Sequence, residues 1–225
     1  MDEKAMYPLI KKQLETLGFD VKAEVSNADV VAMKSGMALV VEMKRSLTTA
    51  LMHQGIMRSS VADAVYLAVF TPTDRVLKSR SFNEKKAIVK QLGLGLMLVD
   101  VPREHVTFVI DPASETQGKN TRQRRKLIDE FKLRKTALNV GGVTRTKIIT
   151  AYRELALRIL DALENGPKPI KTLVELTGSM KTTRVLQDNH YGWFERVERG
   201  VYQMSSEGKK ARHTYADVLD TLRTL

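Results

Sequence analysis

Two short apolar runs separated by a Ser-Gly dipeptide constrain this chain more than any other feature. Residues 28–33 (ADVVAM) and 38–44 (ALVVEMK) are rich in β-branched side chains, and Lys34-Ser35-Gly36-Met37 lies between them. Runs of this kind form strands, and a two-residue loop closes them into a hairpin. With Ser35 and Gly36 in the loop, Lys34 faces Met37, and stepping back along both strands sets Asp29 opposite Glu42. Directly opposite residues share a face of the sheet with Cβ atoms about 5 Å apart. Lys44, two residues further on, joins that face. At an effective dielectric of about 20, two carboxylates at that distance repel by roughly 3 kcal/mol. A sheet keeps such a pair only beside a compensating cation. Lys44 supplies one charge, and a divalent metal would supply two.

This donor set suits metal-dependent phosphodiester hydrolysis. Two carboxylates hold Mg²⁺ with several waters left on the metal, and an ammonium stands beside the attacking water. The alternative is an ordinary amphipathic hairpin whose Glu42 and Lys44 form a solvated ion pair. The valine-rich surroundings favour a buried sheet with one functional edge.

The 225 residues suffice for one large domain or two small ones. A net charge of +11 points to a polyanionic partner. The chain has no cysteine, which excludes disulfides and thiolate metal sites and fits a reducing compartment. The start of the sequence (MDEKAMYPLIKK) is charged and lacks the apolar stretch of a signal peptide. No apolar run approaches the ~20 residues of a membrane span. The expectation is a cytoplasmic protein that does not engage membranes.

Residues 7–17 read as a helix with Ile10, Leu14 and Leu17 on one face and Gly18 at its end. A strand follows over 19–25, then the hairpin, a helix over 47–61, and a buried strand over 64–70 (AVYLAVF) closed by Thr71-Pro72. A basic, loosely helical segment spans 78–92, and two more strands span 95–101 and 105–110. The order predicts a central mixed sheet flanked by helices over residues 1–115. Residues 119–135 carry eight Lys/Arg and two acids, which reads as a basic helical linker within 116–149. Its Arg124 and Arg125 are candidate phosphate contacts, against the plainer reading of a solvated face. Asn139-Val140-Gly141-Gly142 marks a break.

The pattern changes over 150–225. Helices are expected over 152–163, 170–176 and 180–187, then two strands over 193–197 and 201–204. Three helices and a hairpin are the plan of a winged helix-turn-helix, whose third helix approaches the major groove. Lys181, Thr182, Thr183 and Arg184 stand near the start of that helix, and Arg196 and Arg199 lie on or near the hairpin tip, where a wing meets phosphates. The alternative is a winged helix used for protein contacts.

Gln54 and Arg58 fall one turn apart on the helix that leaves the Glu42 strand, so both could point back over the carboxylates, with Arg58 placed to meet a phosphate. Glu3 and Glu24 are further acids that could serve a metal. The four histidines are scattered without ligand spacing. Gly93-Leu94-Gly95 lacks the third glycine of a dinucleotide fingerprint, and Gly141-Gly142 with Lys147 does not fit a phosphate loop.

The chain resembles the PD-(D/E)XK nuclease superfamily and, more narrowly, a bacterial family of PD-(D/E)XK-type phosphodiesterases. The resemblance rests on Asp29-Val30-Val31, Val40-Val41-Glu42-Met43-Lys44, Gln54 with Arg58, and Ala64-Val65-Tyr66-Leu67-Ala68-Val69. It continues through Gly141-Gly142, Thr150-Ala151-Tyr152-Arg153, Tyr191-Gly192-Trp193-Phe194-Glu195-Arg196 and Arg199-Gly200-Val201-Tyr202. It implies a restriction-endonuclease-like α/β core, Mg²⁺ (with Mn²⁺ able to substitute) held by Asp29 and Glu42, and Lys44 near the nucleophile. Glu3 matches the acid often found on the first core helix, and Ala28 stands where the superfamily's proline would be. The reading is therefore a Mg²⁺-dependent DNA phosphodiesterase with Asp29, Glu42, Lys44 and Gln54 in catalysis and a C-terminal winged helix for targeting. Its partner is DNA, with a homodimer as an option. The alternative is a non-catalytic, DNA-binding regulatory protein that keeps the nuclease fold.

Overall fold

The computed structural model describes residues 2–113, 120–134, 139 and 149–224. The expected break at Gly141-Gly142 lies outside the described residues. The chain forms two compact units, one taking in the sequence up to Lys132 and the other running from Ile149 onward.

The first unit opens with a 3₁₀ turn at Glu3–Met6 that runs directly into α1 (Tyr7–Thr16). Six strands follow: β1 (Asp20–Val25), β2 (Ala28–Lys34), β3 (Met37–Lys44), β4 (Ala64–Phe70), β5 (Gly95–Asp100) and β6 (His105–Ile110). They form one sheet in chain order, with β3, β4 and β5 parallel and the outer pairs antiparallel. The parallel steps need crossovers, supplied by α2 (Thr49–Ser59) and by α3 (Asp74–Leu77) with α4 (Arg80–Gln91). Both early hairpins close through two residues of positive φ, Ser26-Asn27 and Ser35-Gly36. That conformation matches the right-handed twist of the flanking strands. Lys34 pairs with Met37 and Val30 with Val41, so the next step outward brings Asp29 beside Glu42.

Each face of the sheet carries its own core. Val31, Val40, Leu67 and Val69 pack beneath α2, α4 and the helix α5 (Thr121–Leu133), while Val30, Val41, Met43 and Ala68 pack with Met6, Ile10 and Leu14 of the chain start. The basic helix expected as a linker is thus part of the first unit, because Leu127 and Phe131, four residues apart on one helical face, are both buried in the α2-side core. α2 lies close to the sheet because position 55 is glycine. A Cβ there would stand 2.7 Å from a Leu67 methyl and 2.9 Å from a Leu94 methyl.

The second unit comprises α6 (Ala151–Ala162), β7 (Lys168–Pro169), α7 (Ile170–Thr177), α8 (Thr182–Asp188), β8 (Phe194–Glu198), β9 (Val201–Met204), α9 (Ser206–Thr214) and α10 (Ala216–Arg223). Its small antiparallel sheet has the order β7-β9-β8. Leu157, Ile159, Leu160, Leu173, Leu186 and Trp193 form its core. Gly178, at a φ of 62°, ends α7 in the left-handed conformation that glycine adopts without cost. Asn189 ends α8 the same way, and its side chain both donates to the Phe194 carbonyl (2.8 Å) and accepts the Phe194 N–H (3.2 Å), fixing the entry to β8.

Candidate active site

Along β2 and β3 the side chains alternate between faces, so Asp29, Glu42 and Lys44 project to the side covered by α2 while Val30, Val41 and Met43 enter the opposite core. Lys44 ends the first of the three parallel strands, and the carboxyl ends of parallel strands are where α/β sheets place their ligands.

Glu42 is 1% exposed, and Asp29 is partly buried. The Asp29 Oδ2 accepts the Met43 N–H at 2.8 Å, so the strand's own backbone orients that carboxylate. Glu42 Oε1 takes the Nε of Arg58 at 2.5 Å. Burial is the main cause that raises the Asp29 pKa, against the lowering effects of the Met43 N–H and Lys44. Burial, reinforced by the charge of Asp29, pushes Glu42 up to about 7, although Arg58 opposes the shift. Two acids that share a desolvated site cannot both ionise cheaply, so the pair holds a proton more readily than two solvated acids would.

Glu3 enters from the chain start. Its Oε1 accepts the Arg45 N–H at 3.0 Å and its Oε2 lies 3.8 Å from Lys44 Nζ. Glu3 therefore reaches the site through Lys44 and the backbone beyond it. Gln54 lies in α2, and its Oε1 is buried without a hydrogen-bond partner. The N-terminus of α2 is capped by Thr48, whose side chain accepts the Leu51 N–H at 3.2 Å. Glu24 has a φ of 54° in β1 and does not extend the carboxylate pair into a cluster. Among the described residues no group of three or more His, Cys, Asp or Glu could hold a metal.

The donor set fits a hard divalent cation. Each acid has one oxygen committed to an N–H donor and one left over, and a cation would replace the proton that burial favours. Mg²⁺ commonly takes one or two protein carboxylates and keeps its waters. Asp29 and Glu42 are the residues that would hold it.

The arginines divide differently from the sequence expectation. Arg58 turns inward: besides Glu42, it donates to the Ser26 carbonyl at 3.4 Å and to that of Asn27. Arg124 is also engaged, with Asp63 at 2.7 Å and the Val61 carbonyl at 3.3 Å, which pins α5 to the hairpin end of the sheet. Arg125 remains 86% exposed. In the second unit Thr182 is fully buried and shares a 2.6 Å hydrogen bond with Thr177, which removes it from any docking surface. Lys181, Arg184, Arg196 and Arg199 are exposed, with Arg184 paired to Asp188 within α8 and Arg196 donating to the Glu198 carbonyl. Sequence reasoning missed the Glu42–Arg58 pair. The available signal was Glu42 itself, since a buried lone carboxylate demands a cation from the next element.

The family model described as "Putative PD-(D/E)XK phosphodiesterase (DUF2161)" matches residues 97–211, just over half of the chain. The chain belongs to that family. The matched stretch runs from β5 to α9, so Asp29, Glu42 and Lys44 lie before it and are supported by geometry alone. The mixed sheet with flanking helices is consistent with a restriction-endonuclease-like core. No curated protein matches the chain. Among the solved structures similar to this chain, three share low identity with it. A protein of unknown function from Silicibacter pomeroyi is 17% identical over 57% of this chain and 83% of its own, with a TM-score of 0.40. An XisH family protein from Nostoc punctiforme is 17% identical over 48% and 99%, with a TM-score of 0.36. An fdxN element excision controlling factor protein from Anabaena variabilis is 18% identical over 47% and 98%, with a TM-score of 0.35. Among the described residues no helix is long and apolar enough to cross a membrane.

Proposed function

We propose that the chain is a Mg²⁺-dependent phosphodiesterase that hydrolyses DNA. The observation that carries this reading is the pairing of the buried Glu42 with the partly buried Asp29, with Lys44 on the same strand face, in a family described as phosphodiesterases. Asp29 and Glu42 would hold the cation. A divalent cation supplies Lewis-acid polarisation of the phosphoryl group and acidifies water. Lys44 contributes its ammonium charge to the phosphate as negative charge builds in the transition state. Glu3 keeps that ammonium in place from 3.8 Å while holding the Arg45 backbone, so it serves the cation site indirectly. Gln54 offers a buried amide oxygen on the helix that covers the pair.

The second unit is read as a winged helix: α6, α7 and α8 are its three helices, and the β8–β9 hairpin is the wing. Lys181 at the N-cap of α8, Arg184 on α8, and Arg196 and Arg199 on the wing give it four exposed cations for phosphates. Arg125 adds another on α5.

Cleavage of duplex, single-stranded and branched DNA, each with Mg²⁺ and with Mn²⁺, tests the proposal. Wild type is expected to cut at least one substrate, and Lys44→Ala to bind it without cutting. Tight binding with no cleavage of any substrate favours the second reading, a non-catalytic DNA-binding protein. One observation supports that reading: Arg58 already pairs with Glu42.

A further inference from the structure

Arg58 stands where three pieces of the site meet. Its Nε is on Glu42 Oε1, and its two terminal nitrogens are on the carbonyls of Ser26 and Asn27. Those two residues form the left-handed β1–β2 turn, and the chain reaches Asp29 two residues later. One guanidinium therefore joins the carboxylate of β3 to the turn that delivers the carboxylate of β2. A planar fork with five N–H donors can serve three acceptors at once, whereas a lysine ammonium is a point donor on a flexible stem. The glycine at position 55, one turn earlier, lets α2 lie close enough to the sheet for the side chain to reach. Arg58 itself is only 23% exposed, and all three of its nitrogens point into the protein rather than toward a ligand.

The same bonds orient the acids. Arg58 donates to Glu42 Oε1, and the Met43 N–H donates to Asp29 Oδ2, so one oxygen of each acid has no N–H on it. Two carboxylates suit one Mg²⁺ that keeps most of its waters. No third acid joins the pair among the described residues.

We propose that Arg58 is a positioning residue that ties Glu42 to the β1–β2 turn and so sets the spacing of the two carboxylates around one divalent cation. The inference rests on the proposed cation site and replaces the sequence expectation of a phosphate contact.

Equilibrium binding of Mn²⁺ to the full chain, followed by the free-ion signal in electron paramagnetic resonance, tests it without recourse to cleavage. Sites are counted as those lost in Asp29→Asn. Wild type is expected to bind one Mn²⁺ there. Arg58→Met and Arg58→Lys are both expected to bind it at least about tenfold more weakly, while DNA affinity without divalent metal stays within about twofold. Should Arg58→Met fail to fold, Arg58→Lys decides alone, because it keeps the charge and loses the fork. Tighter binding by Arg58→Met would make Arg58 a competing charge and overturn the proposal. So would wild-type affinity in Arg58→Lys, or a second Asp29-dependent Mn²⁺. Unchanged metal affinity with weakened DNA binding would restore the phosphate contact. Wild type that binds no Mn²⁺ at this site would remove the proposed function together with this inference, whereas the preceding outcomes leave that function standing.

Discussion

Replacing Glu42 with Gln should stabilise the first unit at alkaline pH while abolishing its response to metal. Glu42 rises from an ordinary 4.5 to about 7 because it is desolvated and faces Asp29. At about 1.4 kcal/mol per pKa unit, that shift corresponds to roughly 3 kcal/mol of differential stability. The sign follows from proton counts. Between pH 4.5 and about 7 the folded chain holds a proton on Glu42 that the unfolded chain has released, so wild-type stability falls as pH rises through this window. The full cost is present above about pH 7 and absent below 4.5. Asp29, also raised, contributes with the same sign. A glutamine keeps an acceptor for Arg58 and cannot ionise. Glu42→Gln should therefore match wild type at pH 4 and exceed it by up to about 3 kcal/mol at pH 8 in the presence of chelator. Tryptophan fluorescence is the wrong probe, because the one tryptophan, Trp193, lies in the second unit. Exchange of the slowest amide protons of β2 and β3 reports the opening of the first unit directly. If Glu42→Gln proved equal to or weaker than wild type at pH 8, the argument that this carboxylate is held at an electrostatic cost would be refuted.

Gly208→Ala should destabilise the second unit by about 3 kcal/mol, since its Cβ would stand 2.3 Å from the Trp193 carbonyl oxygen, a backbone atom that cannot swing away; Trp193 fluorescence during denaturation measures it. Arg124→Ala should cost about 2 kcal/mol in the first unit by removing the 2.7 Å ion pair with the partly buried Asp63, whereas Arg125→Ala should leave stability unchanged and lower the salt slope of DNA binding by about 1. Arg184→Ala combined with Arg199→Ala should reduce that slope by about 2 in filter binding over a salt series, and an unchanged slope would assign the second unit to protein contacts.

The central hairpin was legible because its signals are local. Ser35-Gly36 fixes a two-residue loop, the loop fixes the register, and the register brings Asp29 to Glu42. The strand at Ala64–Phe70 was equally plain, being an unbroken apolar run between turn residues. What escaped depends on contacts between distant segments. Arg58 and Arg124 read as ligand-facing charges, because their partners Glu42 and Asp63 lie outside the helices that carry them. Thr182 read as an exposed helix-start residue, but its hydroxyl is satisfied by Thr177 across the turn and is buried there. α9 and α10 were not anticipated, although Val218, Leu219 and Leu222 fall at helical spacing. They dock through Ala211 and Leu219, buried in the core of the second unit with Tyr215, Val218 and Leu222 packed against it, and through Arg223 reaching Asp161 and Glu164. α5 illustrates a signal that was present and outvoted: Leu127 and Phe131 form a core-facing pair, and the surrounding charge made the segment look like a linker.

Anomalous scattering from Mn²⁺ soaked into crystals of the full chain measures directly whether Asp29 and Glu42 hold a divalent cation beside Lys44. The expected result is one peak within bonding distance of one oxygen from each acid, absent in Asp29→Asn crystals. A wild-type map with Mn²⁺ bound elsewhere and no peak between the two carboxylates would contradict it.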